Sequence, residues 1–163
     1  MIDVLVDDTL EVCGHRFTTQ LPAGRCVVCQ QVVIQSDQMR RFEQGVAIEI
    51  AKAGLRRGDA FRFLRTTLSM SDAGLAELLD VPAEYIGYWE SEKWPVDPRA
   101  LAVLVALVLG RFEGKHSVLD PLGVLREPRK LARNVRLHLN DSLHGAGKLL
   151  EFGSAAFTQP ATA

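Results

Sequence analysis

Apolar positions recur at helical spacing through the middle of the chain. From Ser36 to about Ala53 they form one stripe, and a second periodic segment opens at Gly58-Asp59. Spacings of three and four residues place apolar side chains on one face of a helix. The pattern therefore predicts a connecting helix over residues 36–54, followed by a helical domain over residues 55–114.

Within that domain, the segment from Ser71 to Lys93 divides into two short helical patterns. A break at Asp80-Val81-Pro82 separates them, and Ser71 is a good N-cap residue for the first. Two short helices joined by a tight turn have the spacing of a helix-turn-helix, whose second helix offers its outer residues to base edges in the major groove. A further helix begins at Asp97-Pro98 and is apolar almost all round from Leu101 to Leu109, so it should be buried in a dimer or in a large internal interface.

The two ends of the chain differ from its middle. Residues 1–35 indicate a small β-rich module, with strand-like composition and a turn at Gly14. The segment from Arg126 to Leu139 predicts one more helix, within a C-terminal helical extension over residues 115–144. Residues 145–163 are rich in Gly, Ala, Ser and Thr and indicate a disordered tail. The predicted fold class is therefore mainly α, with a five-helix helix-turn-helix domain preceded by a small β-rich module.

Composition indicates the cellular compartment and the class of partner. The formal net charge is −1, without the basic excess that phosphate binding usually leaves in a whole-chain count. Three cysteines do not form an even disulfide framework, and the first residues show no secretion signal. The longest apolar run falls far short of the roughly 20 residues that span a bilayer. These features favour a cytoplasmic protein without a membrane partner.

Thirteen positions in the middle of the chain resemble a known family, the Xre/Cro (lambda-repressor-like) helix-turn-helix. They are Phe63-Leu64-Arg65, Leu68, Ser71, Leu75-Ala76, Leu79, Val81, Ile86, Trp89-Glu90 and Lys93. The segment LPAGRCVVC at residues 21–29 is similar to the second half of the YgiT-type zinc-binding domain, which precedes the helix-turn-helix in MqsA-like antitoxins. The resemblance implies a repressor-like fold for the helical domain. It also implies DNA binding as a dimer, by a transcriptional regulator or an antitoxin that represses its own operon.

The candidate DNA contacts lie on the second short helix, at the start of the first, and further along the chain. They are Ser71, Asp72, Ala83, Glu84, Gly87, Tyr88, Ser91 and Lys93, joined by Arg129, Arg133 and Arg136 of the predicted C-terminal helix. Glu84 has the chemistry to accept a hydrogen bond from a cytosine amino group. The three arginines recur at helical spacing as a basic stripe, which is either an accessory phosphate contact or an ordinary solvated face.

The charge balance of the helix-turn-helix opposes DNA binding. Residues 56–93 contain five basic side chains, at Arg56, Arg57, Arg62, Arg65 and Lys93. They contain seven acidic side chains, at Asp59, Asp72, Glu77, Asp80, Glu84, Glu90 and Glu92. Since phosphate contacts supply most non-specific affinity, an alternative remains open: a protein-binding module, with a toxin or another partner, whose helix-turn-helix has lost DNA affinity.

The cysteines raise the question of a structural metal. Cys26-x-x-Cys29 has zinc-knuckle spacing, and the only plausible second pair is Cys13 with His15. A structural zinc needs four such ligands, so the alternatives are one site made from all four residues or a degenerate ribbon that folds without metal, which we favour. Nucleophile, phosphate-loop and metalloprotease motifs are missing, so we expect no enzyme activity.

Overall fold

The computed structural model describes residues 1–114 and 129–139, which contain five helices and four strands. The two longest strands are β1 (Ile2–Val12) and β2 (His15–Arg25), and they form an antiparallel hairpin. A two-residue turn joins them at Cys13 and Gly14, whose φ angles are 57° and 75°. Positive φ at both central residues is typical of the type I′ turn, whose twist matches that of the strands it joins.

Two short strands complete the sheet along the other edge of β2. β3 (Val32–Ile34) pairs antiparallel with the end of β2, and β4 (Asn134–Arg136) pairs parallel with its beginning. The sheet is therefore mixed, and it joins the first and last described segments of the chain.

The helices are α1 (Ser36–Ala53), α2 (Gly58–Thr67), α3 (Asp72–Leu79), α4 (Ala83–Glu90) and α5 (Pro98–Glu113). Local chemistry sets several of their ends. Ser71 caps α3 by accepting a hydrogen bond from the Gly74 N–H, and Asp97 caps α5 through the N–H groups of Arg99 and Ala100. Such side-chain caps satisfy N–H groups that have no partner inside the helix.

Helix α5 packs against α1 and α2. Its apolar side chains are largely buried within one chain, and Leu101, Leu104 and Val105 have no exposed surface. The sequence predicted that this helix is buried in a dimer or in a large internal interface. Within the single chain it is buried in an internal interface. The same core continues to the sheet through Phe17 and Leu21 of β2.

The predicted mainly α class is wrong, because 48% of the described residues are helical and 22% are strand, in a four-stranded mixed sheet. The β-rich segment does precede the helices, but its strands belong to a sheet that the C-terminal part of the chain completes. The fold therefore combines α and β structure around one shared core.

The helix predicted from Arg126 to Leu139 is also wrong in its described part, because residues 129–139 form no helix and include β4. Leu131, Val135 and Leu139 are spaced by four, which suits one face of a helix and equally one face of a strand. Leu137 lies between them and is also half-buried, while its neighbours Arg136 and His138 are exposed. This period of two is the alternation of a strand. The rest of the predicted extension and the predicted tail lie outside the described residues.

Candidate nucleic-acid interface

The two short helices predicted between Ser71 and Lys93 are present as α3 and α4. Between them, Asp80 adopts the left-handed conformation, with a φ of 53°, and its N–H bonds the carbonyl of Glu77. Val81 N–H then bonds the Ala76 carbonyl at 3.0 Å, which closes the last turn of α3. Pro82 precedes the first residue of α4 and fixes the direction in which that helix begins. The connection is therefore short and held by backbone hydrogen bonds.

The inner face of α4 is packed into the core. Ile86 is fully buried, and Trp89 packs edge-to-face on Phe61 of α2 with ring centroids 5.7 Å apart. On the α3 side, Leu75 and Ala76 are buried in the same core. Because aromatic edge-to-face pairs add to the free energy of area burial, these contacts fix α4 against α2 and α3.

A buried ion pair joins α2 to the end of α4. The Arg65 Nε and Nη2 atoms donate to the two carboxylate oxygens of Glu90 at 2.6 and 3.0 Å, and Nη1 donates to the Met70 carbonyl. Asp72 lies 2.8 Å from the same guanidinium. The hydrogen bonds to Glu90 raise the pKa of Arg65. Glu90, counted among the acids that oppose DNA binding, is thus neutralised inside the protein.

Two further acids of this segment are engaged at the beginning of α2. The Glu92 carboxylate accepts a hydrogen bond from the Gly58 N–H at 3.2 Å, although 34 residues separate them. Asp59 accepts two hydrogen bonds from Arg57, at 3.0 and 2.8 Å. Carboxylates at this position favour a helix because its N-terminus carries partial positive charge.

Of the seven acidic side chains counted in the sequence, three therefore have carboxylates without a hydrogen bond or ion pair to any described residue. They are Glu77, Asp80 and Glu84. The pairing also occupies Arg57 and Arg65, so it leaves fewer unpaired carboxylates but does not change the net acidic charge of the segment.

The outer face of α4 is open to solvent. Ala83, Glu84 and Gly87 of α4 are exposed, and so is Ser91, which directly follows the helix. A Cβ atom at Gly87 would find nothing within 4 Å, so this surface is also uncovered by the described residues. The Ser91 hydroxyl donates to the Gly87 carbonyl at 2.7 Å. Four of the predicted DNA contacts thus lie together on one accessible helix face.

An aromatic cluster flanks that face and was missed in the sequence. Trp94 packs on Tyr88 and on Tyr85, with ring centroids 4.7 and 5.0 Å apart. The Lys93 ammonium lies 4.1 Å above the Tyr88 ring, a cation–π contact. Of the predicted contacts, Tyr88 therefore packs on Trp94, and Lys93 packs on Tyr88. The available signal was four aromatic residues within ten positions in a chain that is only 7% aromatic.

The other predicted DNA contacts are placed differently. Ser71 and Asp72 begin α3, but the first is occupied as a cap and the second contacts Arg65. The predicted stripe of Arg129, Arg133 and Arg136 does not form on a helix, because these residues belong to the extended segment beside β2. Arg129 pairs with Glu49 of α1 at 2.8 Å, and the Arg133 carbonyl accepts a hydrogen bond from the Arg16 N–H.

The structure separates the two halves of the proposed zinc site. Cys13 lies in the hairpin turn and His15 directly follows it, whereas Cys26 and Cys29 follow the far end of β2. A strand rises about 3.3 Å per residue, so the 11 residues of β2 place the pairs roughly 33 Å apart. Since Zn–S bonds are near 2.3 Å, one ion cannot bind all four residues. Within residues 1–114 and 129–139, no group of three or more Cys, His, Asp or Glu residues is arranged to hold a metal ion.

The three thiols have different surroundings. Burial and a hydrogen bond with Asp59 raise the pKa of Cys13 to about 12. Cys26 lies in a turn closed by a hydrogen bond from the Gln30 N–H to its carbonyl at 3.0 Å. Hydrogen bonds from the backbone of Cys29 and Val28 lower the pKa of Cys26. Cys13 therefore belongs to the core, and the Cys26–Cys29 pair belongs to the surface.

The outer face of α4 is therefore the candidate functional site. None of the described helices has both the length and the apolar character needed to cross a membrane. No protein-family model matches the chain, nor does any curated protein or solved structure match it.

Proposed function

We propose that this protein binds double-stranded DNA through the outer face of α4. It would act as a dimeric transcriptional regulator or as an antitoxin-like autorepressor. The observation that carries the proposal is the exposed row of small and polar residues on α4, with its inner face locked to α2 and α3. A helix that enters the major groove needs both an accessible outer face and a rigid support.

One positive charge beside the outer face supports this proposal. The Glu90 carboxylate is buried against Arg65, whereas those of Asp59 and Glu92 are bonded to Arg57 and to the Gly58 N–H. Lys93 is held beside the outer face by Tyr88 and has no acidic partner among the described residues. Lysine side chains beside a groove-bound helix are suited to phosphate contacts.

The size of α4 favours a dimer. Its eight residues span about 12 Å at 1.5 Å per residue, so one copy reaches only a few base pairs. Two copies related by a twofold axis read two half-sites about one helical turn apart, roughly 34–36 Å. We therefore expect a palindromic operator.

The test is a binding titration on duplexes selected from genomic fragments, followed by fluorescence anisotropy at several salt concentrations. Lys93→Ala should lower the slope of log affinity against log salt by about 0.9, since each phosphate contact releases about that many counterions. Lys130→Ala is the matched control, because Lys130 is an exposed lysine of the same charge on the segment before β4. The control should leave the slope unchanged.

Two results would count against the proposal. One is the lack of any salt-sensitive DNA binding by the wild-type protein. The other is tight binding that Tyr88→Ala and Ser91→Ala both leave intact, since this would remove α4 from the interface.

A second candidate function is the binding of a protein partner, such as a toxin, and one observation favours it. Among the described residues, β1 pairs with β2 alone, so its outer edge is open along 11 residues. Open edges accept an added strand from another chain. Co-expression with the product of the neighbouring gene, followed by hydrogen exchange, would show whether β1 becomes protected.

A further inference from the structure

We infer that Glu84 selects a cytosine in each half-site, by accepting a hydrogen bond from its N4 amino group in the major groove. The inference rests on the proposed function and names the base that a side chain of α4 recognises. It follows from which polar groups the outer face of α4 leaves free.

The outer face offers very few groups for base recognition. Ala83 and Gly87 have no polar side-chain atom, and the Ser91 hydroxyl already donates its hydrogen to the Gly87 carbonyl. The Tyr88 ring is held on one side of the face by Trp94 and Lys93. Tyr85 is exposed too, but its ring packs on Trp89 and Trp94. Glu84 is therefore the exposed polar side chain of α4 that makes no hydrogen bond, ion pair or ring contact with a described residue.

Glu84 also has a favourable position. It is the second residue of α4, and the N-terminal residues of a recognition helix are those that contact base edges. Gly87 lies one turn further on, where open space surrounds the missing side chain, so the helix backbone can approach the bases closely. The helix N-terminus stabilises the negative charge of the carboxylate until the base replaces water.

The chemistry of a carboxylate separates the four bases. It only accepts hydrogen bonds, so the N7 and O6 acceptors of guanine repel it. Adenine offers an N6 amino group, but its N7 acceptor lies alongside. Cytosine offers the N4 amino group without a neighbouring acceptor on the same base. A carboxylate therefore favours cytosine.

Glu84 also lowers affinity for the wrong sequences. A negative charge held near phosphates opposes binding wherever no amino group compensates for it, which is a repulsive contribution to specificity. Removing the charge should therefore strengthen binding to unrelated DNA while weakening discrimination at one base pair.

The experiment compares the wild-type protein with Glu84→Gln and with a matched control, Glu43→Gln. Glu43 is an exposed acid on α1, so the control removes the same charge away from α4. Each protein selects from randomised duplexes, and anisotropy then measures affinity for the selected site, for single-base variants of it, and for unrelated DNA.

We expect the wild-type protein to select cytosine at one position of each half-site, and a replacement there to weaken binding about 5- to 150-fold. Glu84→Gln should select adenine at that position, because glutamine both donates and accepts and so pairs with adenine N7 and N6. It should also bind unrelated DNA several-fold more tightly. Glu43→Gln should retain the cytosine preference.

The outcomes distinguish the two levels of the proposal. If the wild-type protein binds DNA but Glu84→Gln selects the same bases, the assignment of Glu84 is overturned and DNA binding stands. If the wild-type protein binds no DNA at low salt, the proposed function is overturned, and the reading of cytosine with it.

Discussion

Because α2 begins close to the end of α4, we expect the stability of the protein to be unusually sensitive to a substitution at Gly58. A Cβ atom built there would lie 2.4 Å from the Trp89 carbonyl oxygen and 2.6 Å from that of Glu90. Both obstacles are backbone atoms of a helix that is fixed by the Arg65–Glu90 ion pair, so neither can move aside as a flexible side chain would. The change to test is Gly58→Ala.

Two effects of opposite sign determine how much Gly58→Ala changes the free energy of unfolding. Alanine favours the helical state over glycine by up to about 1 kcal/mol. Overpacking in a well-packed region costs about 1–3 kcal/mol, and the short distances to backbone oxygens favour the upper end of that range. We therefore expect Gly58→Ala to lower the free energy of unfolding by about 2 kcal/mol.

Gly87→Ala is the matched control. Gly87 lies within α4 in open space, so only the gain in helix propensity remains. This variant should raise the free energy of unfolding by about 0.5–1 kcal/mol. Urea unfolding followed by tryptophan fluorescence measures both, and the midpoints should move in opposite directions without a change in slope. Equal stability of the two variants would refute the close approach of α2 and α4.

Three other predictions concern the ion pair, the thiols and β4. Glu90→Gln should lower the free energy of unfolding by about 2 kcal/mol, because it removes the buried carboxylate of the pair and leaves only the exposed Asp72 to compensate the charge of Arg65, and an unchanged urea midpoint would contradict this. Since the pKa of Cys26 is lowered and that of Cys13 is raised to about 12, iodoacetamide at neutral pH should modify Cys26 long before Cys13, as followed by mass spectrometry. Early labelling of Cys13 would show that its thiol is not buried against α2. Val135→Asp should destabilise the folded state by about 1–3 kcal/mol in thermal or urea unfolding, because it places a charge on the inward side of β4, and unchanged stability would argue against the parallel pairing with β2.

Local signals in the sequence were sufficient to place most helices. Ser71 and Asp97 begin α3 and α5 because their side chains bond the first free N–H groups, and this chemistry depends only on near neighbours. Gly54 ends α1 in the left-handed conformation for a similar reason. These boundaries could therefore be predicted without knowledge of the fold.

The strands were harder to predict because their partners are distant in sequence. The residues from Asp3 to Val12 form one continuous strand, although the acidic pair at Asp7 and Asp8 divides it in the sequence pattern. Pairing with Gln20 and Thr19 satisfies that part of the backbone. The spacing of Leu131, Val135 and Leu139 likewise fits both helix and strand, and contact with β2 and the core decides between them.

The sequence was sufficient to predict where the candidate site lies, but not which of its charged side chains are paired. The outer residues of α4 follow from helical periodicity, and four of them are exposed as expected. The sequence count of acids did not reveal that Glu90 and Glu92 are bonded to Arg65 and Gly58, because these partners lie 25 and 34 residues away. The aromatic cluster around Trp94 likewise depends on how the chain turns after α4.

The parallel pairing of β4 with β2 has a consequence for folding during synthesis. The hydrogen bond from the Thr19 hydroxyl to the Leu137 carbonyl joins residues 118 positions apart. The hairpin and the five helices are translated before β4, so they can form while the edge of β2 near Phe17 is still bare. Long-range closure of this kind is slow, and an unpaired strand edge invites association with other chains. The nascent chain therefore carries a risk of aggregation at this edge until β4 has been made.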